Sequence, residues 1–300
     1  MSMPKPTETS NLLPPELLSQ LERLELVTRK IFRGRMKGER RSKRRGQSVE
    51  FADFRNYVAG DDLRFIDWNM YARLDKLFLK VFLEEEDLHF HSLIDTSASM
   101  EFGDPSKLHY AKQLAGALSF VGLCRGDRVK VDTLGQPLAQ PSPSLRSRAS
   151  LWRLLQQLEE IKAGDNTPLE EGVKNFCLRN SGKGILILIT DLMDKAGYEN
   201  ALRYLLAQDL DVYVIHVLSQ AEIEPDVTGD LKLVDCEDAD VAEITVSKPL
   251  LDRYQRTLAS FVNGAQEFCT RRGMHYLMAN TSIPVDQMVS SYLRKRGLVR

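Results

Sequence analysis

The sequence predicts an α/β fold: a doubly wound, mostly parallel sheet flanked by helices, with a helix and strand extension ahead of it. Two observations carry this. From residue 88 onward, short continuous apolar runs alternate with amphipathic helical patterns, as in parallel sheets covered on both faces. Several of those runs end in polar loops that hold aspartates and hydroxyls, the residues expected at a binding edge formed by strand carboxyl ends.

Taken in order, residues 1–11 are polar and carry Pro4 and Pro6, and residues 1–13 predict a disordered lead. Residues 14–87 form an N-terminal region of helix, basic loop and strands. Pro14 and Pro15 open its helix, with Leu17, Leu18, Leu21, Leu24 and Ile31 at helical spacing. The stretch 29–45 follows, with ten Lys or Arg against one acid, Glu39, and glycines that predict a loop. Arg40, Arg41, Lys43, Arg44 and Arg45 are its candidate anion-binding residues, weighed against a solvated basic arm. A strand around Val49 and Phe51, a Gly-Asp-Asp turn and a strand at 77–83 come next. Asp53, Asp61, Asp62 and Asp67 alternate there with Arg55, Arg64 and Arg73, which reads as paired charges and turn caps. Trp68 and Tyr71 are expected to be packed.

Residues 88–300 hold the main domain. Strands are predicted at 88–95, 129–134, 185–189, 212–218 and 276–278, with helices at 106–124, 150–161, after Pro168, at 199–208, 249–272 and 284–296. A polar-tipped hairpin is predicted over 231–246.

Composition bounds the function. With 300 residues, 43% hydrophobic and 28% charged, the chain can bury a substantial core. A net charge of −1 gives no global pull towards nucleic acid or anionic lipid. No apolar run approaches the ~18 residues of a membrane span, and the first residues lack a signal-peptide pattern. Cys124, Cys177, Cys236 and Cys269 are widely spaced, which argues against zinc or a disulfide framework and for reduced, mostly buried thiols in a cytoplasmic protein. His89 and His91 share a strand face without a third ligand and read as structural.

The chemistry converges on three places. Asp95, Ser97 and Ser99 follow the apolar run at 88–94. This Asp-x-Ser-x-Ser pattern alone is weak, arising by chance in about one chain in ten of this length. Thr167 lies in a Gly-Asp-Asn-Thr-Pro-Leu loop that opens a helix, and Asp191 ends the strand begun at Ile185. In a doubly wound sheet these loops share one edge. Two serines, a threonine and two aspartates offer only oxygen, which suits Mg²⁺ or another hard divalent cation and can leave one coordination position open.

Asp95, Ser97, Ser99, Thr167 and Asp191 resemble, in order and context, the metal-ion-dependent adhesion site of von Willebrand factor A domains. Upstream, Arg55, Tyr57, Gly60, Asp61, Asp62, Arg64, Asp67 and Trp68 resemble the signature of a bacterial family of unknown function that carries such a domain and is often encoded beside MoxR-type AAA+ ATPases. The resemblance implies that the serine hydroxyls and Thr167 bind Mg²⁺, that Asp95 and Asp191 bind it directly or through water, and that a partner's carboxylate fills the open position. It also implies a non-catalytic adaptor or regulator that works with a MoxR-type ATPase, a client protein, or both.

Two other functions stay open on sequence. A Mg²⁺-dependent phosphatase or hydrolase would use Asp95, although Ser97 stands where a second aspartate acid/base would be expected. Nucleic-acid or anionic-surface binding would use the stretch 29–45, where Phe32 is the lone aromatic and stacking is correspondingly poor.

Overall fold

The computed structural model describes residues 12–23, 49–84, 89–135, 142–164, 167–180, 182–237 and 240–293. The basic residues Arg40, Arg41, Lys43, Arg44 and Arg45 lie outside the described residues. Two compact units form, one of Met1–Arg29 with Leu88–Arg300 and the other of Lys30–Asp87.

Helix α1 (Pro15–Leu21) begins with proline at its first position and ends where the Glu22 amide closes on Leu18 and Gln20; Leu24 and Ile31 of the expected run lie outside the described residues. Leu12 and Leu13, placed by sequence in the N-terminal lead, are buried together with Leu17 and Leu21 in the same core as the main sheet.

Within the Lys30–Asp87 unit, the described residues 49–84 are built on a hairpin. Strand β1 (Val49–Asn56) pairs antiparallel with β2 (Phe78–Glu84), with a bulge between Phe51 and Asp53. The connection holds a 3₁₀ turn (Leu63–Phe65) and α2 (Trp68–Leu74). Its charged residues bond one another. Arg55 donates twice to Asp61, at 2.9 and 2.7 Å. Asp62 caps the 3₁₀ turn and pairs with Arg64. Asp67 accepts from the Asn69 and Met70 amides to cap α2 and lies 3.1 Å from Lys80 Nζ. Trp68 and Tyr71 differ from expectation: they are 61% and 41% exposed, edge-to-face with each other on α2. The helix is barely two turns long and buries none of its residues.

The sheet unit runs β3 (His89–Ile94), α3 (Lys107–Arg125), β4 (Arg128–Thr133), α4 (Leu151–Glu160), α5 (Leu169–Arg179), β5 (Gly184–Thr190), α6 (Glu199–Leu206), β6 (Leu210–Leu218), α7 (Gln220–Ile223), the hairpin β7 (Gly229–Val234) and β8 (Val241–Val246), α8 (Lys248–Arg271), β9 (His275–Asn280) and α9 (Val285–Gln287). Five strands form one sheet in the order β4-β3-β5-β6-β9, every neighbouring pair parallel. This is the predicted doubly wound α/β architecture. Strand side chains alternate between two cores. Ile185, Ile187 and Ile189 face one with α1, α3 and α4, while Leu186 and Leu188 face the other with α5, α6 and α8. That double burial is why β5 reads as a continuous apolar run.

The last predicted helix is a single turn followed by a π-helical stretch, Met288–Leu293. Of the four cysteines, expected to be mostly buried, only Cys269 is; Cys124 and Cys177 are partly exposed and Cys236 exposed. Among the described residues no helix is long and apolar enough to cross a membrane.

Candidate functional site

From β3 the chain crosses to β4 on one side of the sheet and later returns as β5 on the other. The connections that leave the adjacent carboxyl ends of β3 and β5 therefore diverge, at the switch point where open α/β sheets leave a crevice. Asp95 follows the first strand and Asp191 the second. A cavity of about 120 Å³ opens there, lined by Asp95, Ser97, Thr167 and Asp191, with Asp194 and Glu237 at its sides.

Local hydrogen bonds set each side chain. Asp95 turns the chain by accepting the Ser97 amide on Oδ1 (2.9 Å), and its Oδ2 accepts from the Thr190 hydroxyl at 2.5 Å. The Ser97 and Ser99 hydroxyls lie 3.0 Å apart. Ser99 Oγ donates to Asp191 Oδ2 at 2.7 Å, linking the two strand ends. Asp191 Oδ1 accepts the Met193 amide (3.1 Å), and the Leu192 amide donates to Thr190 Oγ1 (3.0 Å). Between them Leu192 is held at φ 58°, a left-handed conformation that costs a branched residue about 1 kcal/mol or more. Full burial of its side chain secures the turn that aims Asp191.

Thr167 arrives by a different route. Gly172 on α5 lies so close to β4 that an added Cβ would stand 2.2 Å from the Leu134 carbonyl oxygen. Asp194 accepts the Leu169 amide at 2.6 Å and ties the start of that helix to the β5 loop. All five sequence-predicted residues thus meet at one edge: Asp95, Ser97, Thr167 and Asp191 line the cavity, and Ser99 bridges into it through Asp191. The eight signature residues, Arg55 to Trp68, belong to the other unit, where Asp61, Asp62 and Asp67 serve as caps and ion-pair partners.

Sequence reasoning missed Lys107 and Glu222. Lys107 is the first residue of α3 and its side chain is 1% exposed; Nζ donates to Asp191 Oδ2 at 2.7 Å and to Glu222 Oε1 at 2.6 Å. A cation at a helix N-terminus opposes the helix dipole, an anomaly that flags a compensating anion. Glu222 was legible as the fourth residue of a Ser-x-x-Glu capping box with Ser219, which the structure forms.

Electrostatics follow from burial. Desolvation, then the Asp191 charge, raises the Asp95 carboxyl above the usual carboxylate range. Burial also pushes Asp191 up, but the Lys107 ammonium and the bonds from Lys107 and Ser99 outweigh it and hold that carboxyl low. Desolvation, with Asp191, Asp235, Asp95 and Asp194 nearby, raises Glu237 as well. The edge therefore carries more negative charge than Lys107 neutralises. An oxygen-only donor set with surplus negative charge fits a hard divalent cation. Among the described residues no three His, Cys, Asp or Glu side chains converge as a metal cluster, so the hydroxyls would have to complete any coordination.

A wider groove of about 1050 Å³ continues from Ser99 and Lys107 to the β7–β8 hairpin, where Leu233, Val234 and Val241 line it. Phe102, Val234 and Val241 are each more than half exposed along this face.

Residues 53–261 match the family described as protein of unknown function DUF58. An uncharacterized protein of Mycobacterium tuberculosis is 26% identical over 252 residues, covering 82% of this chain and 79% of its own length. Among solved structures, a conserved hypothetical protein BatB from Bacteroides thetaiotaomicron is similar over 70% of this chain and 98% of its own, at 16% identity and a TM-score of 0.41. A von Willebrand factor type A protein from Catenulispora acidiphila is similar over 46% of this chain and 35% of its own, at 17% identity and a TM-score of 0.35.

Proposed function

The chain belongs to the DUF58 family of proteins of unknown function, and from that premise we propose that it is a non-catalytic, Mg²⁺-dependent protein-interaction module of the cytoplasm. The observation that carries the reading is the convergence of Asp95, Ser97, Thr167 and Asp191 on one cavity at the switch point of the sheet, with Ser99 bonded to Asp191. Ser97, Ser99, Thr167 and Asp191 would hold the cation, and Asp95 would contribute its charge. When bound, the cation supplies a positive centre that a partner's carboxylate can meet. The adjoining apolar groove, with Phe102, Val234 and Val241 exposed, supports a macromolecular partner over a small one.

Binding is favoured over turnover on the same geometry. Both Asp95 oxygens already accept a hydrogen bond, from Thr190 and from the Ser97 amide, which makes each a weaker nucleophile. Ser97 supplies no acid/base in the place where a phosphotransferase would need one. The partner we propose is a MoxR-type AAA+ ATPase, or a client presented to it, on the resemblance of the Arg55–Trp68 signature.

Affinity capture with the wild-type protein in Mg²⁺, in EDTA, and with Asp95→Ala tests this. The expected outcome is an ATPase or client retained by wild type in Mg²⁺ and lost in both other arms. Retention unchanged by EDTA and by Asp95→Ala overturns it.

A further inference from the structure

Lys107 is the buried cation that the proposed function leaves unused. Its side chain is 1% exposed, and lysine is rarely buried unless paired. It is paired twice, with Asp191 Oδ2 at 2.7 Å and Glu222 Oε1 at 2.6 Å. The second partner is itself fixed: Glu222 Oε2 accepts the Ser219 amide at 2.7 Å, and the Tyr254 hydroxyl donates to the Glu222 carbonyl at 2.7 Å. The Asp191 oxygen that takes the ammonium also takes the Ser99 hydroxyl, while its other oxygen holds the Met193 amide. Asp191 thus has no oxygen idle. A cation gathered by Ser99 and Asp191 would draw on the carboxylate that Lys107 already occupies.

We propose that Lys107 is a resident counter-cation that competes with the divalent metal for Asp191, keeping the edge shaped and partly neutralised without metal and making metal affinity weak. This rests on the metal-dependent reading above. Glu222 is the second anchor, which retains the ammonium when Asp191 turns to the metal. Lys107 is therefore a positioning residue that sets affinity and touches no partner. The same pairing gives metal binding a structural consequence, because Glu222 belongs to the α7 turn that leads into the β7–β8 hairpin of the groove.

Two variants separate competition for Asp191 from a general charge effect. Lys107→Met removes the ammonium and keeps an apolar stem of similar length. Lys107→Met combined with Glu222→Gln removes one charge of each sign, so the net charge of the edge is unchanged, and of the two carboxylates that share the ammonium only Asp191 is left without it. Mg²⁺ titration calorimetry on the purified full chain, with thermal melting beside it, gives the readout. A hydrogen bond to a charged group given up by Asp191 corresponds to Mg²⁺ binding about tenfold tighter, expected in the double variant and at least as large in Lys107→Met. The metal-free melting temperature of Lys107→Met is expected to fall, and Mg²⁺ to restore it by more than it raises wild type. If Lys107→Met does not fold, the double variant alone decides.

Binding in the variants but not in wild type supports the competition and overturns Mg²⁺ dependence of the native site. Binding in wild type that the double variant leaves equal or weaker overturns the role of Lys107 and leaves the metal-dependent reading standing. Absence of Mg²⁺ binding in all three proteins overturns both.

Discussion

His216 lies on β6, in register with Thr190 at the end of β5, and is fully buried. Its Nδ1 is 2.7 Å from the Tyr276 hydroxyl, and its ring meets Phe261 edge-on. Burial pushes its pKa from 6.5 down to about 4, despite the opposing pull of Asp191. Between those values the unfolded chain binds a proton that the folded chain refuses, so stability falls as pH drops from 6.5 towards 4. The full loss is roughly 3 kcal/mol for a displacement of this size. Urea midpoints measured across that window should fall more steeply for wild type than for His216→Phe; parallel curves would assign the acid sensitivity to other groups. At this scale the sequence was legible where side chains report on their own strand. Asp95, Ser97, Ser99 and Asp191 sit at the ends of apolar runs, and their place at the sheet edge follows from position. Lys107 was not legible, because its partners are 84 and 115 residues away and only the folded sheet brings them together.

Among the elements, those with one repeating face were readable and those defined by contact were not. The continuous run Ile185–Ile189 read as a buried strand, and the helix read over 106–124 is α3, which Ser106 caps and left-handed Gly126 ends in the structure. The four-residue α7 lacks the length for a periodic signal, and the packing of the N-terminal segment on α3 depends on Gly116. At Gly116 of α3 a Cβ would meet Leu158 Cδ1 of α4 at 3.0 Å and Leu13 Cδ1, just ahead of α1, at 3.3 Å. Leu13→Ala leaves a void in that layer and should cost about 2–5 kcal/mol by chemical denaturation; a change under half a kcal/mol would show that Leu13 is not a core residue. Gly172 makes the matching test for α5. With a carbonyl oxygen 2.2 Å from the site of an added Cβ, Gly172→Ala must shift the helix or the end of β4. A loss of about 1–3 kcal/mol is expected, and the Thr167 loop that precedes the helix should move with it. On the proposed function, Mg²⁺ binding in calorimetry should weaken together with stability. Unchanged values of both would mean that the backbone relaxes without cost.

For the whole molecule, strand order is the decisive feature, and apolar patterning is blind to it. The alternation of strands and helices sets a parallel sheet, but the order β4-β3-β5-β6-β9 is fixed by crossover direction, and that order brings the ends of β3 and β5 together. The candidate site is therefore a property of the topology, assembled from residues up to 96 positions apart (Asp95 to Asp191). Because its ligands come from separate loops, the unfolded chain has no equivalent site, and a cation that binds the folded state must stabilise it by mass action. At a Mg²⁺ concentration a hundredfold above its dissociation constant the gain is ~2.7 kcal/mol, which for a domain of this size raises the melting temperature by roughly 5–10 °C. Melting curves across a Mg²⁺ series, with Na⁺ at matched ionic strength, should show that rise in wild type and lose it in Asp95→Ala and in Ser97→Ala combined with Ser99→Ala. The serine variant is the sharper arm, because it removes two hydroxyls and leaves both buried carboxylates in place. Equal rises in all three proteins would locate any Mg²⁺ effect away from this edge.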